Sequence, residues 1–385
     1  MRRSILLVST ATSWLGTARM PRVLARAGFE VVLLAPQGSL AAKSRYVSRT
    51  GYLASTATPM EWLLRLIRMI EEHAPEALVP CDEMAVRLLI TVALEPPLGF
   101  DPGLTARLVG LVEASLGDPR YYVASIDKTM LPAAAEAMGV RVPDYAIATS
   151  ADDARRRARA LGFPIVIKRR FGFAGQGVAV VASDEDLAAA AQQLLRPDQL
   201  DLGERRPPEL LVQAFVAGPY HSQSLVAQRG AVLASFAHER YVPTAVIKGQ
   251  TAVLRFIDSP ETLAFSETLC RGLGMSGFFS IQFVLDAKSA NAYLLEINRR
   301  LVTHMHLGER VGRDLATAFF DRSERSGRGA AATTKHDAEE SGVIAVFPRE
   351  WLRDPDSPYL VDFPVDVPWD DPPLLEAMLA MRHDP

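Results

Sequence analysis

The stretch "FSIQFVLDAKSANAYLLEINRR", residues 279–300, predicts a β-hairpin with one polar face. Apolar and polar residues alternate along both arms, and the polar letters "DAKSAN" between them are typical of a hairpin loop. Successive side chains of a strand point to opposite faces, so Glu296, Asn298 and Arg300 share one face of the second arm. A carboxylate, an amide and a guanidinium in one row indicate a polar binding surface.

The hydrophobic pattern also predicts the register of this hairpin. A fold that is symmetric about Ser289 places Gln282 opposite Glu296 and Ser280 opposite Asn298 on the polar face. The same register predicts an apolar face made of three pairs: Leu285–Tyr293, Phe283–Leu295 and Ile281–Ile297. A shift by one residue would turn the polar groups into the core, so the pattern favours this register.

Two interpretations of the polar face remain open from the hairpin alone. The oxygen atoms of Gln282, Glu296 and Asn298 suit a hard cation such as Mg²⁺, which commonly shares its ligands with phosphates. Arg300 beside them suits a phosphate or a transferring phosphoryl group. The alternative is a solvated polar face on an edge hairpin.

The composition indicates an ordinary globular protein. The 385 residues, 49% hydrophobic and 23% charged, have room for two or three domains, and a formal charge of −3 predicts neither nucleic acid nor an anionic membrane as a partner. The two cysteines, Cys81 and Cys270, have no neighbour at metal-ligand spacing, which favours a reducing compartment. The apolar run after Met1 is too short for a signal peptide and is interpreted as a first strand. We therefore expect a soluble cytoplasmic protein.

Residues 4–36 predict a strand, a helix ending at Gly28 and a second strand, which is typical of a Rossmann-like unit. The first strand is followed by "STATSWLGTARM" and not by G-x-G-x-x-G, so a dinucleotide is not the expected ligand.

A glycine-rich turn follows an apolar strand in "IVIKRRFGFAGQGVAVV", residues 165–181. Lys168 ends that strand, and Gly172, Gly175 and Gly177 allow backbone N–H groups to approach phosphate oxygens. Taken alone, the glycines are more often a tight hairpin that needs positive φ. A P-loop is excluded because no G-x-x-x-x-G-K-[ST] string occurs, and a protein kinase is excluded because H-R-D and D-F-G are missing.

The order of these motifs resembles the ATP-grasp superfamily. A lysine, a glycine loop, a "VQAFVAG" strand and then Q…E-x-N-x-R follow one another between about Ser125 and Asp314. Gln282 stands where many relatives have an acid, which is similar to the carbamoyl phosphate synthetase-like branch. The implied fold class is α/β and α+β, an ATP-grasp fold with an N-terminal Rossmann-like domain.

The resemblance implies a role for particular residues of this chain. The residues implied to bind ATP are Lys128 in "SIDK", Lys168, Gly172, Gly175, Gly177, Gln213, Phe215 and Val216. The implied Mg²⁺ ligands are Gln282, Glu296 and Asn298, and the implied catalytic residues are Arg300, facing the transferred phosphoryl group, and Lys168. Two positions depart from the family: Tyr220 replaces the ribose-binding glutamate of the "G-x-E" string, and Arg299 replaces the usual proline.

The residue pattern, the composition and the resemblance together predict the domain organisation. Its segments are an N-terminal Rossmann-like domain (1–120), a lid subdomain with the glycine-rich loop (121–211), a C-terminal subdomain with the metal site (212–318), a flexible linker (319–341) and a C-terminal docking tail (342–385).

The implied reaction is the ATP-dependent joining of a small-molecule carboxylate to an amine through an acyl phosphate, with release of ADP and phosphate. The alternatives are a carboxylase or kinase-like phosphotransferase of the same fold, or a non-catalytic nucleotide-binding protein. A homodimer is compatible with the sequence. Whether His238, Arg240, Arg255, His304 and His306 contact substrate is left open; for His304 and His306 the favoured interpretation is capping of a helix.

Overall fold

In the computed structural model the described residues are 3–381 without Ser55, 97–98, 173–174, Gln176, Gln199, 202–205, 246–248 and 324–341. Part of the glycine loop and most of the predicted linker therefore lie outside the described residues. None of the described helices combines the length and the apolar character that a membrane span requires.

The first 80 residues form a parallel sheet of four strands in the order β3-β2-β1-β4. The strands are β1 (Ser4–Val8), β2 (Glu30–Pro36), β3 (Arg49–Leu53) and β4 (Leu78–Pro80). Helices cover both faces: α1 (Leu15–Ala27) on one side and α2 (Pro59–His73), α3 (Glu83–Leu94) and α4 (Pro102–Leu116) on the other. Gly28 ends α1 in the left-handed conformation, with φ 111°, as the sequence predicts.

The next unit is an antiparallel sheet of four strands in the order β5-β8-β6-β7. Its strands are β5 (Tyr145–Ala148), β6 (Ile165–Arg169), β7 (Val178–Val181) and β8 (Leu210–Ala214). The helices α5 (Tyr122–Ile126) and α6 (Leu131–Ala137) precede it, and α7 (Ala151–Leu161) and α8 (Asp184–Leu194) pack on its apolar face.

The largest sheet has six antiparallel strands in the order β13-β12-β9-β10-β11-β14. They are β9 (Tyr220–Gln228), β10 (Ala231–Pro243), β11 (Thr251–Ile257), β12 (Gly277–Leu285), β13 (Ala292–Asn298) and β14 (Val343–Ala345). The accompanying helices are α9 (Pro260–Gly272), α10 (Leu315–Phe320), α11 (Arg349–Arg353) and α12 (Pro372–Ala380). Short 3₁₀ helices occupy Leu40–Lys43, Pro119–Tyr121, Met305–Val311, Asp321–Ser323 and Pro358–Leu360.

The hairpin of β12 and β13 confirms the predicted register only at its polar end. Gln282 pairs with Glu296, and Ser280 with Asn298, as expected. Toward the loop the prediction is wrong by one residue, and the observed pairs are Phe283–Leu294, Val284–Tyr293 and Leu285–Ala292. The cause is a β-bulge that leaves Leu295 without an opposite residue. The bulge puts Leu294 and Ile297 on the same buried core, a pattern that strict alternation excludes.

The segment after the undescribed stretch returns to the body of the protein. β14 pairs with β11 and so adds an edge strand to the central sheet. Beyond it, Asp366 accepts a hydrogen bond from Arg19 of α1 at 2.5 Å, and Phe347 and Met378 join the apolar cluster that also contains residues of β1 and β2. The tail thus packs against the N-terminal unit, while the boundaries of the five predicted segments stay predictions.

Candidate functional site

The predicted metal ligands lie on one face of the central sheet, and we call Gln282, Glu296 and Asn298 the metal row. Gln282 and Glu296 are direct neighbours across β12 and β13, and Asn298 follows two residues later. Asn298 Nδ2 donates to Glu296 Oε1 at 3.3 Å, while its Oδ1 accepts a hydrogen bond from Arg300 at 3.1 Å. These bonds align a carboxylate and an amide oxygen on the same side.

Two lysines from separate elements meet this row. Lys128 Nζ, just before α6, lies 3.7 Å from Glu296 Oε2 and donates to the carbonyl oxygen of Gly172 at 2.9 Å. Lys168 Nζ, near the end of β6, lies 3.3 Å from the carbonyl oxygen of Leu295, the bulged residue. A lysine of the lid sheet therefore contacts the hairpin at its one irregular residue. We call Lys128, Lys168 and Arg300 the cation cluster.

The cation cluster determines the charge state of its surroundings. Burial alone would raise the pKa of Glu296, but the charges of Lys128, Lys168 and Arg300 outweigh it and hold that pKa below its ordinary value. Burial lowers the pKa of Lys168 to about 8, opposed by Glu296 and assisted by Lys128. Because Arg300 also pairs with Glu83, the three cations face two carboxylates, and the one positive charge in excess would be neutralised by an anionic ligand.

Asp127 fixes the position of Lys128. Its fully buried carboxylate accepts hydrogen bonds from Thr129 at 2.7 Å, Arg170 at 3.0 Å and Arg206 at 2.8 Å. The backbone N–H of Lys128 donates in turn to the carbonyl oxygen of Arg170 at the end of the lid strand. The chain around Lys128 is therefore attached to the same strand end as Lys168.

The glycine loop begins beside these lysines and ends at a position that requires glycine. Gly177 has φ +78°, and a Cβ there would lie 2.6 Å from Cγ and Cδ of Arg169. The Arg169 N–H donates to the Gly177 carbonyl oxygen at 2.8 Å and so closes the turn. Gly172 contacts Lys128 through its carbonyl, whereas Gly175, also at positive φ, has undescribed residues on both sides.

The predicted adenine hinge connects the lid sheet to the central sheet. Gln213 is a buried residue of β8 and pairs with Tyr145 of β5 on one side and Val166 of β6 on the other. Phe215 and Val216 follow the strand, and the Phe215 N–H donates to the Pro164 carbonyl oxygen at 3.3 Å. Among the described residues no hydrogen bond uses the backbone N–H or carbonyl of Val216, so both are available to a base edge. Phe215 is partly exposed beside them.

Arg300 is more constrained than the sequence indicates. Its Nε donates to Glu83 Oε2 at 2.8 Å, its Nη1 to the Leu301 carbonyl oxygen at 3.3 Å and its Nη2 to Asn298. Its guanidinium also lies 4.6 Å from the centre of the Trp14 ring. A guanidinium has five N–H groups, so one on each Nη remains for a ligand. Glu83 and Trp14 belong to the N-terminal unit, which therefore helps to orient Arg300.

Arg349 is a candidate site residue that the sequence does not reveal. It opens α11, and burial together with the nearby charge of Arg300 lowers its pKa to about 10. Its described hydrogen bond is to the Thr251 carbonyl oxygen at 3.5 Å, and no carboxylate among the described residues pairs with it. It lies 49 residues beyond Arg300 in the chain, outside every motif, so no local signal identifies it.

The sequence leaves open whether five residues, His238, Arg240, Arg255, His304 and His306, contact substrate, and the structure shows the surroundings of each. His304 makes no helix-capping hydrogen bond; its ring packs 3.9 Å from that of His238, and burial keeps both pKa values below normal. His306 contacts Asp366 at 2.8 Å and likewise caps no helix. Side-chain capping is therefore wrong for both, although His304 occupies the N-cap position of the 3₁₀ helix Met305–Val311. Arg240 lies 3.9 Å over the Tyr220 ring, and Arg255 forms an exposed ion pair with Glu239.

Arg299 points away from the site. It donates to Ser125 at 3.0 Å and to the carbonyl oxygen of Leu116, both behind the sheet. Burial lowers its pKa to about 10. The residue in place of the family's proline therefore holds the sheet to the N-terminal unit and adds no charge to the metal row.

The whole architecture is similar to that of solved enzymes. Biotin carboxylase from Campylobacter jejuni, solved as a β,γ-ATP complex, is 16% identical with a TM-score of 0.62, over 87% of this chain and 72% of that one. L-amino acid ligase from Bacillus licheniformis is 14% identical with a TM-score of 0.58, over 83% and 74%. At such identities these likenesses show the fold, and they confirm the predicted fold class.

The sequence comparisons concern the part of the chain that carries the site. Over 182 residues the chain is 24% identical to the carbamoyl phosphate synthase large chain of Hyperthermus butylicus, which is 46% of this chain but only 16% of that relative. The family described as "Carbamoyl-phosphate synthase L chain, ATP binding domain" matches residues 127–320, or 194 of the 385 residues. The chain therefore belongs to this family of ATP-binding domains, which confirms its resemblance to the ATP-grasp superfamily.

Proposed function

We propose that this protein is an ATP-dependent carboxylate–amine ligase that forms ADP. The observation that supports this most directly is the cation cluster around Glu296: three positive groups lie in a buried site with two carboxylates, Glu296 and Glu83, and a triphosphate with a moving phosphoryl group supplies the remaining negative charge. In this proposal Lys128 and Lys168 bind the phosphates, and Gly172, Gly175 and Gly177 bring backbone N–H groups to them. Gln213, Phe215 and Val216 surround the adenine.

The metal row is the proposed position of Mg²⁺, which enters with ATP as part of the substrate. Glu296 is its one carboxylate, and the described residues contain no cluster of three or more His, Cys, Asp or Glu side chains that could hold a metal. Oxygen donors of this kind fit Mg²⁺, and phosphate oxygens complete its shell. The bound ion would neutralise charge on the transferred phosphoryl group.

The carboxylate substrate lies, in this proposal, between Arg300 and Arg349. Arg300 has two free N–H groups beside Asn298, and Arg349 is a partly buried cation near Arg300 with no acid partner in the described part of the chain. Such a pair favours a carboxylate, because charge-assisted hydrogen bonds to guanidinium groups are strong. The same position places the carboxylate at the phosphoryl end of the metal row.

The reaction then has two balanced steps. A carboxylate oxygen attacks the γ-phosphorus and ADP leaves, which gives an acyl phosphate. The amine nitrogen attacks the acyl carbon, the C–N bond forms, phosphate leaves and the nitrogen loses a proton. Lys168 and Arg300 are catalytic residues in this scheme, since they stabilise the charge on the transferring group.

The test is ³¹P NMR of the protein with Mg²⁺-ATP, pools of small carboxylic acids, and hydroxylamine as a general amine. Hydroxylamine converts an acyl phosphate into a hydroxamate that forms a coloured iron complex. ADP, phosphate and hydroxamate in equal amounts support the ligase. AMP with pyrophosphate would contradict it.

A carboxylase is the second candidate, favoured by the likeness to biotin carboxylase. In that case bicarbonate is the acceptor, and bicarbonate alone would stimulate ADP release. The same spectra, recorded with bicarbonate in place of the acid pool, separate the two functions.

The remaining proposals concern context. We infer small-molecule carboxylate and amine substrates, a cytoplasmic location and a homodimeric assembly. Light scattering in solution tests the last of these.

A further inference from the structure

A cavity of about 430 Å³ opens beside Arg300 at the carboxyl ends of the parallel strands of the N-terminal sheet. Thr10 follows β1, Pro36 ends β2, Leu53 ends β3 and Asp82 follows β4. β1 lies between β2 and β4, so the chain order reverses there, and ligands of open α/β sheets bind at such switch points. The volume is within the range of small-molecule sites.

Most of the wall is apolar and aromatic. Its apolar members are Ala11, Trp14, Pro36, Leu53, Ala54, Ala57, Pro59, Trp62, Met84, Leu88 and Leu200. The indole of Trp14 is held by a hydrogen bond from Nε1 to the Leu301 carbonyl oxygen at 3.1 Å. Trp62 belongs to α2 and is buried in the apolar cluster between this helix and the parallel sheet. Two fixed indoles on one small cavity suit a flat or bulky apolar group.

The charged groups lie where the cavity meets the metal row. Both carboxylate oxygens of Asp82 already accept hydrogen bonds, from Ser9, Thr10, Ala11 and the Ala85 N–H. These bonds fix the loop after β1. Arg300 and Glu83 form an ion pair, and Arg300 reaches Asn298 at 3.1 Å. Arg300 therefore links the polar end of the cavity to the proposed phosphoryl-transfer site.

We propose that this cavity binds the non-reacting body of the carboxylate substrate, and that this body is a bulky apolar or aromatic group. The inference rests on the proposed ligase function. The carboxylate meets Arg300, and the apolar body lies between the indoles. Glu83 Oε1 has no partner among the described residues and faces an α-ammonium group if the substrate is an amino acid. A polyanionic body is disfavoured because Asp82 and Glu83 are the only acidic or basic groups on the described wall besides Arg300.

The test compares four acids: 3-phenylpropionate, phenylalanine, propionate and alanine. Dissociation constants are measured by calorimetry without nucleotide, and hydroxamate formation with Mg²⁺-ATP and hydroxylamine is measured separately. We expect the two phenyl acids to bind and react at least about tenfold better than propionate and alanine, since each tenfold step corresponds to ~1.4 kcal/mol of apolar contact. A preference for phenylalanine over 3-phenylpropionate would assign Glu83 to the ammonium group.

Matched variants show whether the cavity is responsible. Ala57→Leu fills the cavity with three carbon atoms, whereas Ala106→Leu makes the same change on an exposed position of α4. Ala57→Leu should weaken binding of the phenyl acids about tenfold or more, and Ala106→Leu should leave it unchanged. Equal binding of small and bulky acids, or equal effects of the two variants, would overturn the inference while the ligase function stands. Binding without hydroxamate would instead overturn the ligase and leave the cavity assignment supported.

Discussion

At the scale of single residues, the site combines two carboxylates, Glu296 and Glu83, with the three groups of the cation cluster. Glu296 touches Lys128 and Asn298, and its pKa is held down by the surrounding charges. Glu296 is the only carboxylate of the metal row, so no other residue of the row can supply its negative charge when Glu296 is neutralised.

Glu296→Gln should therefore reduce Mg²⁺-dependent ATP turnover by about 10²–10³-fold, the usual cost of removing one electrostatic contact in a catalytic site. The protein should remain folded, because the substitution keeps the shape of the side chain and removes a charge. ADP release is the measurement, and Glu239→Gln, in an exposed ion pair, is the control. Turnover that survives in Glu296→Gln would exclude the metal row as the Mg²⁺ site.

The pKa of Lys168, near 8 instead of 10.5, predicts the alkaline limit of activity. As pH rises through about 8, Lys168 loses its charge, so kcat/KM for ATP should fall, because that parameter reports the free enzyme. Between about 8 and 10.5 the unfolded chain binds more protons than the folded one, so this lysine makes stability rise with pH while activity falls. Opposite trends in initial rates and thermal melting check this. In Lys168→Arg the remaining kcat/KM for ATP should no longer fall above about pH 8, because arginine keeps its charge there. An equal fall in the variant and the unchanged protein would refute the assignment of this decrease to Lys168.

At the scale of elements, the order of the motifs predicted more than any single one of them. The hairpin pairs Ser280–Asn298 and Gln282–Glu296 followed from alternation, and the lysines followed from the resemblance. The bulge at Leu295 was not predicted, because an interpretation based on strict alternation of side chains does not allow for an extra residue. Asp127 was missed as well, since a buried acid that holds two arginines has no sequence signature.

Gly177→Ala should raise the KM for ATP about tenfold. The new Cβ meets Cγ and Cδ of Arg169 at 2.6 Å and must displace that side chain, which forms ion pairs with Asp198 and Asp201 beside the turn that closes the glycine loop. Gly139→Ala is the matched control, because Gly139 has a similar φ of +76° but nothing within 4 Å of the added Cβ. Both variants should lose about 1 kcal/mol of stability from backbone strain, so nucleotide titration separates the steric effect from the shared one. A KM that changes equally in both would contradict the role of the turn.

At the scale of the whole molecule, the proposed site draws on three units. In that proposal the N-terminal unit supplies Glu83 and Trp14, the central sheet supplies Arg300, and the tail supplies Arg349. Family membership confirms ATP as the expected nucleotide, since the family is that of an ATP-binding domain. Residues contributed by the two ends of the chain could not be predicted, because their proximity arises from tertiary packing and not from any local pattern.

Arg349→Met should raise the KM for the carboxylate about tenfold or more and leave the dissociation constant of Mg²⁺-ATP nearly unchanged. The reason is that the charge of Arg300, and of neither lysine, contributes to lowering the pKa of Arg349. Arg255→Met, which breaks an exposed ion pair, is the control. If Arg349→Met weakens the binding of Mg²⁺-ATP and of the carboxylic acid equally, the tail stabilises the site as a whole and does not bind the acid specifically.

The bulge at Leu295 also has a consequence for how the chain tolerates variation. On its inner side the ladder from Gln282 to Asn298 carries the ligands, and on its outer side the ladder ends in the exposed loop at 286–291. The loop is held to the hinge by the Ala287 N–H, which donates to the Ala217 carbonyl oxygen at 2.8 Å, whereas the exposed residues after Ala287 lie beyond this bond and beyond the bulge, so a change of length there leaves the ligand-bearing pairs in place. A peptide tag inserted between Lys288 and Ser289 should therefore leave catalysis intact, so this loop is a natural attachment point for a label or a surface tether.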